Sequence, residues 1–225
     1  MNIPFILLQN TTDITSPDSV NYFEVFMTGG IVSYVLVGLS IVLFYFFLER
    51  LWVFFKLTRE NPKDLLDRIK QLLISRGMES AQDALRKSSS SYSVIIRESL
   101  DIMTYINSDQ LKERIDEVAQ RELTKLERHI GYISLIAGAA PMLGFLGTVT
   151  GMITAFSELA NQEGATSAKV LASGIYQAMG TTMGGLIVGL FAYIMYNYLI
   201  TKIHKITGRM NVLIHDFMLM MQQRS

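Results

Sequence analysis

The residues of this chain that could do chemistry inside a membrane are hydroxyls and one amide. Gln177, Thr181 and Thr182 lie in the stretch QAMGTTMGG, inside a run from Val170 to Thr201 that carries no formal charge. Thr148 lies in a second charge-free run, Ile130 to Ser157. A hydroxyl or an amide donates and accepts hydrogen bonds but does not ionise near neutral pH. Such groups can orient a proton carrier and cannot be one. No catalytic triad, phosphate-binding loop or metal-ligand cluster accompanies them. There are no cysteines, and His129, His204 and His215 have no second ligand at helical spacing. The chain is therefore expected to be non-enzymatic, without cofactor or metal.

The elements that must position these groups follow from the charge pattern. A third charge-free run extends from Val25 to Leu48. Each run exceeds the ~20 residues that cross ~30 Å of hydrocarbon at ~1.5 Å per residue. The expected fold class is an all-α integral membrane protein: three transmembrane helices with long cytoplasmic helical extensions. Half of the 225 residues are hydrophobic, too many for an ordinary soluble domain, and the formal net charge of +0 gives no reason to expect nucleic acid. The first basic residue is Arg50, and between the second and third runs only Lys169 is basic, so nineteen of the 20 Lys and Arg fall on one side. The positive-inside rule places that side in the cytoplasm. The expected organisation is a periplasmic tail over 1–24, a span over 25–49, a cytoplasmic helical domain over 50–129, a span over 130–157, a periplasmic loop over 158–169, a span over 170–200 and a cytoplasmic C-terminal helix over 201–225. The tail leads into an amphipathic segment around Tyr22, Phe23 and Phe26. Aromatic residues crowd the inner ends of spans one (Tyr45, Phe46, Phe47, Trp52, Phe54, Phe55) and three (Tyr193, Tyr196, Tyr198).

Between the first two spans, Leu65, Leu66, Ile69, Leu72 and Leu73 recur at helical spacing, opened by Asn61-Pro62 and closed near Gly77. A short helix is expected around Ala81 to Leu85, then a turn at Ser88 to Ser91. Asn107 and Gln110 resemble a capping box that starts a pattern of Leu111, Ile115, Val118, Leu123, Leu126 and Ile130. No stop signal follows, so one helix is expected from Ser108 to Glu158. The alternating charges along it read as a solvated face.

Small residues recur through the second and third runs at the spacing that lets helix backbones approach in lipid. Ala140, Gly144 and Thr148 form one stripe, Gly147, Gly151 and Ala155 its neighbour; Ala178, Thr182, Gly185 and Gly189 form another, beside Gln177, Thr181 and Gly184. Pro141 removes one backbone hydrogen bond and should bend its helix. This many small faces suggests an oligomer. An oligomeric membrane scaffold or signalling protein, in which the threonines merely pack, is a reading open on residues alone.

APMLGFLGTVTGMITAF resembles the APxxGLxGTVxGxxxAF signature of the ExbB and TolQ type of proton-channel subunit, at Ala140, Pro141, Gly144, Gly147, Thr148, Val149, Gly151, Ala155 and Phe156. GIYQAMGTTMGGLIVGLFAYIMYN is similar to the family's GIAEALxATAxGLxxAxPAxxxYN at Gly174, Ile175, Ala178, Thr182, Gly185, Leu186, Ala192, Tyr196 and Asn197. The resemblance implies an inner-membrane homopentamer, N-terminus periplasmic and C-terminus cytoplasmic. Its second and third helices would surround a dimeric ExbD-like or TolR-like single-span partner, and the proton motive force would drive a TonB-like or TolA-like protein. It also implies that Thr148 and Thr182 form polar rings facing a partner aspartate, with Gln177 and Thr181 beside the proton pathway. Flagellar-stator subunits of four spans are a nearer competitor. Two positions depart from the pattern: Gln177 stands where Glu is usual and Phe191 where Pro is usual, so no carboxylate of this chain can titrate there.

Overall fold

A computed structural model describes residues 26–27, 29–57, 60–103, 108–161 and 167–222. The lead-in residues Tyr22 and Phe23 and the capping residue Asn107 lie outside the described residues, whereas Gln110 stands exposed in the first turn of the helix that begins at Ser108. Among the described residues the secondary structure is helical, without strands. The helices are α1 (Gly30–Leu57), α2 (Pro62–Ser75), α3 (Gly77–Arg86), α4 (Ser91–Met103), α5 (Ser108–Glu127), α6 (Ile130–Asn161) and α7 (Ser167–Gln222). Three of these are long and apolar enough to cross a membrane, namely α1, α6 and α7. Leucine, isoleucine and phenylalanine stand exposed on them, among them Ile31, Ile41, Phe145, Ile153, Leu186 and Leu190. Such surfaces suit lipid or other helices and not water. Pro141 and Phe191 both lie within unbroken helix.

The chain divides into two compact units: residues up to Gly38 with Ala140–Val188, and Leu39–Ala139 with the residues from Gly189 onward. In the second unit, Asn61 caps α2 through its side-chain oxygen, which accepts from the Lys63 N–H at 3.4 Å, and Pro62 follows where its missing N–H costs nothing. Gly77 takes φ +83, a left-handed conformation that separates α2 from α3. The expected short helix is α3, and the serine turn gives way to α4 at Ser91. Glu60 accepts the hydroxyls of Ser88 (2.8 Å) and Ser90 (3.0 Å), fixing that turn. Leu65, Ile69 and Leu73 of α2, Leu85 of α3, Tyr92, Ile95, Ile96 and Leu100 of α4, and Leu111, Ile115 and Val118 of α5 are buried. So are Ile203, Ile206, Met210, Leu213 and Phe217 of α7, at alternating three and four residue steps.

The expected single helix from Ser108 to Glu158 is not observed. It breaks at His129, which takes φ +65 between the end of α5 and the start of α6. Such a conformation usually selects Gly or Asn at a helix end and costs roughly 1–2 kcal/mol for other residues. Here tertiary partners hold it. His129 Nδ1 lies 2.9 Å from a Glu49 carboxylate oxygen, and its ring lies against Phe46 and Tyr132, at 5.4 and 5.9 Å between centroids. Arg50, 3% exposed, donates to the Lys125 carbonyl at 3.2 Å and to Glu49 at 2.8 Å, tying α1 to the last turn of α5. The free carbonyls of a helix end favour a cation.

Candidate functional site

In the first unit α6 and α7 touch backbone to backbone. A Cβ added at Gly185 would stand 2.6 Å from the Ala140 carbonyl oxygen and 2.8 Å from the Gly144 Cα. One added at Gly144 would meet the Thr181 carbonyl oxygen at 3.0 Å and the Gly185 Cα at 3.1 Å. A side chain at Gly185 would force the backbones apart, and one at Gly144 would be tight. The seam continues toward the helix ends. Gly147 lies against Thr181, Gly151 against Ala178, and Gly174 against Ala155. Two further glycines admit the start of the first span: Gly29 lies against Thr181 and Gly184 beneath the Phe26 ring. The stripes read from the sequence therefore find their partners within one chain. Gly189, in the second unit, is buried as well.

The polar groups of this seam hold distinct positions. Thr182, partly exposed, donates from Oγ1 to the Gly144 carbonyl at 3.2 Å, a hydrogen bond between α7 and α6. Thr181 is 1% exposed, and its hydroxyl donates to the Ala178 carbonyl at 2.7 Å. Thr148 is partly exposed and donates back to Phe145 at 2.6 Å. It borders an open apolar face with Val149, Met152, Ile153 and Phe156, a shallow cavity of ≈ 490 Å³. Gln177 is partly exposed, and its Nε2 lies 3.6 Å from where a Cβ of Gly30 would stand. Thr150 and Thr154 also bond back to their own helix, which is how a hydroxyl is satisfied where water is absent.

Each threonine hydroxyl proton is thus already committed to a carbonyl, and the oxygen lone pairs are what remain. The arrangement can accept hydrogen bonds and cannot ionise. Thr148, Thr181 and Thr182 were legible in the sequence as polar residues at membrane depth. The division of labour among them was not, because it depends on helix rotation. The contribution of Phe26 and Gly29 to the seam was also missed. Its only sequence signal is the glycine pair at the head of the first span.

Comparison with known proteins places these observations. Residues 72–212 match the MotA/TolQ/ExbB proton channel family. The chain is 29% identical over 189 residues to a biopolymer transport protein ExbB homologue of Methanothermobacter thermautotrophicus, covering 82% of this chain and 66% of that protein. It is 28% identical over 180 residues to the biopolymer transport protein ExbB of Salmonella typhimurium, covering 74% of this chain and 72% of that one. Against the Tol-Pal system protein TolQ of Haemophilus influenzae it is 31% identical over 97 residues, covering 43% of this chain and 42% of that one. The chain is a membrane protein that belongs to the MotA/TolQ/ExbB proton channel family.

Proposed function

We propose that this chain is the pore-forming subunit of a motor in the cytoplasmic membrane, driven by the proton motive force. It would energise biopolymer transport in the manner named for its ExbB relatives, with a Tol-type client as the variant reading. The observation that carries the proposal is the α6 and α7 seam. Two helices in backbone contact hold the hydroxyls of Thr148 and Thr182 at partly exposed positions, and no group that ionises near neutral pH occurs on either charge-free run. A charge in hydrocarbon is costly, whereas a ring of hydroxyl acceptors tolerates a protonated carboxyl group. In a homopentamer the lining would fall to Thr148 and Thr182, with Thr181 serving the seam and Gln177 the outer end. The titrating carboxylate must then come from another polypeptide, a single-span ExbD-like or TolR-like partner, with a TonB-like or TolA-like protein receiving the work.

Reconstitution into liposomes tests this reading. Proton flux driven by a pH gradient is expected only when the chain is co-reconstituted with a single-span partner bearing a membrane aspartate. Steady flux through this chain alone refutes the division of roles. No flux with the partner present, in a complex that has assembled, favours a scaffold.

A further inference from the structure

We propose that a cavity between the end of α1 and the middle of α7 binds the headgroup of an anionic phospholipid. The cavity, ≈ 150 Å³, has Phe55, Tyr198 and Ile206 in its walls and Lys202, Lys205 and Arg209 around it. The three cations stand at i, i+3 and i+7, one face of the helix. Charge-free sequence ends at Leu48 on α1 and at Thr201 on α7, so the cavity begins within two turns of the hydrocarbon boundary.

Three observations favour a lipid as its occupant. The cavity's walls continue into an exposed aromatic belt, with Trp52, Phe55 and Tyr198 at 67%, 76% and 46% exposure, where acyl chains can lie. None of the three cations forms an ion pair among the described residues, although Arg209 also lies beside the buried Tyr92 hydroxyl. The neighbouring cleft, which Lys205 and Arg209 also line, contains the carboxylates of Glu60 and Asp216, but neither forms an ion pair among the described residues, and Ser88 and Ser90 both donate to one oxygen of Glu60. Lys202 Nζ lies 5.4 Å from the centre of the Tyr198 ring, which leaves its remaining donors free for an oxyanion. The volume is also about half the lower limit of ordinary small-molecule pockets, roughly 300 Å³. That suits a phosphodiester group.

Native mass spectrometry of the delipidated complex, mixed with phosphatidylglycerol or phosphatidylcholine, tests the proposal. Each cation should contribute about a five-fold preference for the anionic lipid. Lys202→Gln with Lys205→Gln and Arg209→Gln should abolish the preference. All three side chains are exposed and glutamine keeps helix propensity, so folding should persist, and unchanged helix content verifies it. Lys202→Arg with Lys205→Arg should retain the preference, as should Lys70→Gln with Lys112→Gln, exposed charges elsewhere in the chain. Equal retention of the two lipids by the wild type, or an undiminished preference in the triple variant, overturns the proposal. So does displacement of phosphatidylglycerol by excess inorganic phosphate, which would identify a soluble-anion site.

Discussion

Gly185→Ala is the smallest change that tests the seam. The added Cβ would lie 2.6 Å from the Ala140 carbonyl oxygen, and ordinary contact begins at 3.4 Å, so the backbones must separate by about 0.8 Å along that direction. The nearest atoms belong to backbone and not to a flexible side chain, and the strain cannot be relieved by a rotamer change. Overpacking of this kind costs about 1–3 kcal/mol. The same movement stretches the 3.2 Å bond from Thr182 to Gly144, worth about 0.6 kcal/mol in a membrane helix pair. Replacing glycine by alanine returns up to ~1 kcal/mol of helix propensity. The net expectation, with the full propensity gain, is a loss of about 0.6–2.6 kcal/mol. Gly138→Ala is the control, because its Cβ would meet nothing within 4 Å and only the propensity gain remains. Reversible unfolding of the purified protein in mixed micelles should rank the two in opposite directions from wild type. If Gly185→Ala is as stable as Gly138→Ala, the helices do not touch there and the seam is wrongly built.

Four further outcomes are expected. Thr148→Val combined with Thr182→Val keeps size and branching but removes both hydroxyls, and should lower motor activity at least about ten-fold while the complex still assembles; wild-type activity would reject the polar lining. Arg50→Met should cost on the order of 1–3 kcal/mol in thermal unfolding, because it leaves the Lys125 carbonyl and the Glu49 carboxylate without a buried cation. Tyr92→Phe should leave stability unchanged or raise it by about 1 kcal/mol, since that hydroxyl is fully buried with no hydrogen-bond partner within bonding geometry; a large loss would mean Arg209, which lies beside it, makes a stabilising contact. Single cysteines at Ser16 and Ser89 should label with an impermeant maleimide only at position 16 in cells with a permeabilised outer membrane. Ser89 is the suitable inner site because Ser90 is buried in the Glu60 network.

Burial of Tyr92 also pushes its phenol above the ordinary range, although the nearby Arg209 guanidinium acts in the opposite direction. A raised phenol pKa means that the folded state holds its proton more tightly. The associated stability is present below the unfolded value near 10 and is lost as pH rises through the folded one. The helices around Tyr92 should therefore weaken in strong alkali, and Tyr92→Phe should remove that dependence. Unfolding measured between pH 9 and 11, as an approximate window around the phenol value, distinguishes the two proteins.

The spans were legible because length without charge is a direct physical signal. The α2 start was legible because Asn61 and Pro62 each have one favoured use at a helix N-terminus. The break at His129 was not. No Gly or Pro occupies the break itself, and His129 holds a left-handed conformation through Glu49, Phe46 and Tyr132, contacts that sequence spacing cannot reveal. The glycines pose the same problem in another form. Their spacing announced close contact, but spacing is silent on whether the opposite backbone belongs to the same chain. In the structure Gly144 and Gly185 face one another within one molecule. The small-residue stripes then explain how a single protomer closes, and the proposed pentamer rests on other grounds: family membership and the open apolar face beside Thr148.

That separation changes what a polar residue in the seam can do. A threonine whose hydroxyl proton is directed to a carbonyl presents only lone pairs outward, and Thr148 and Thr182 are both in that state. An acceptor ring stabilises the protonated form of a carboxylic acid, which can donate, and offers nothing to the carboxylate, which cannot. The lining would thus favour a neutral carrier while it sits within the apolar depth, and its deprotonation would be favoured only where water or a cation replaces the hydroxyls. Substituting serine for Thr148 and Thr182 separates this account from simple polarity. Serine retains the hydroxyl but not the methyl group that restricts χ1, so its oxygen can swing away from the helix carbonyl and its hydroxyl can then donate outward. Under the acceptor account, the double serine variant should stabilise the carboxylate and lower the pKa of the proposed partner's membrane aspartate, read as a shift of the pH profile of motor activity toward acid. If only polarity matters, serine and threonine should give superimposable profiles, and the acceptor argument fails.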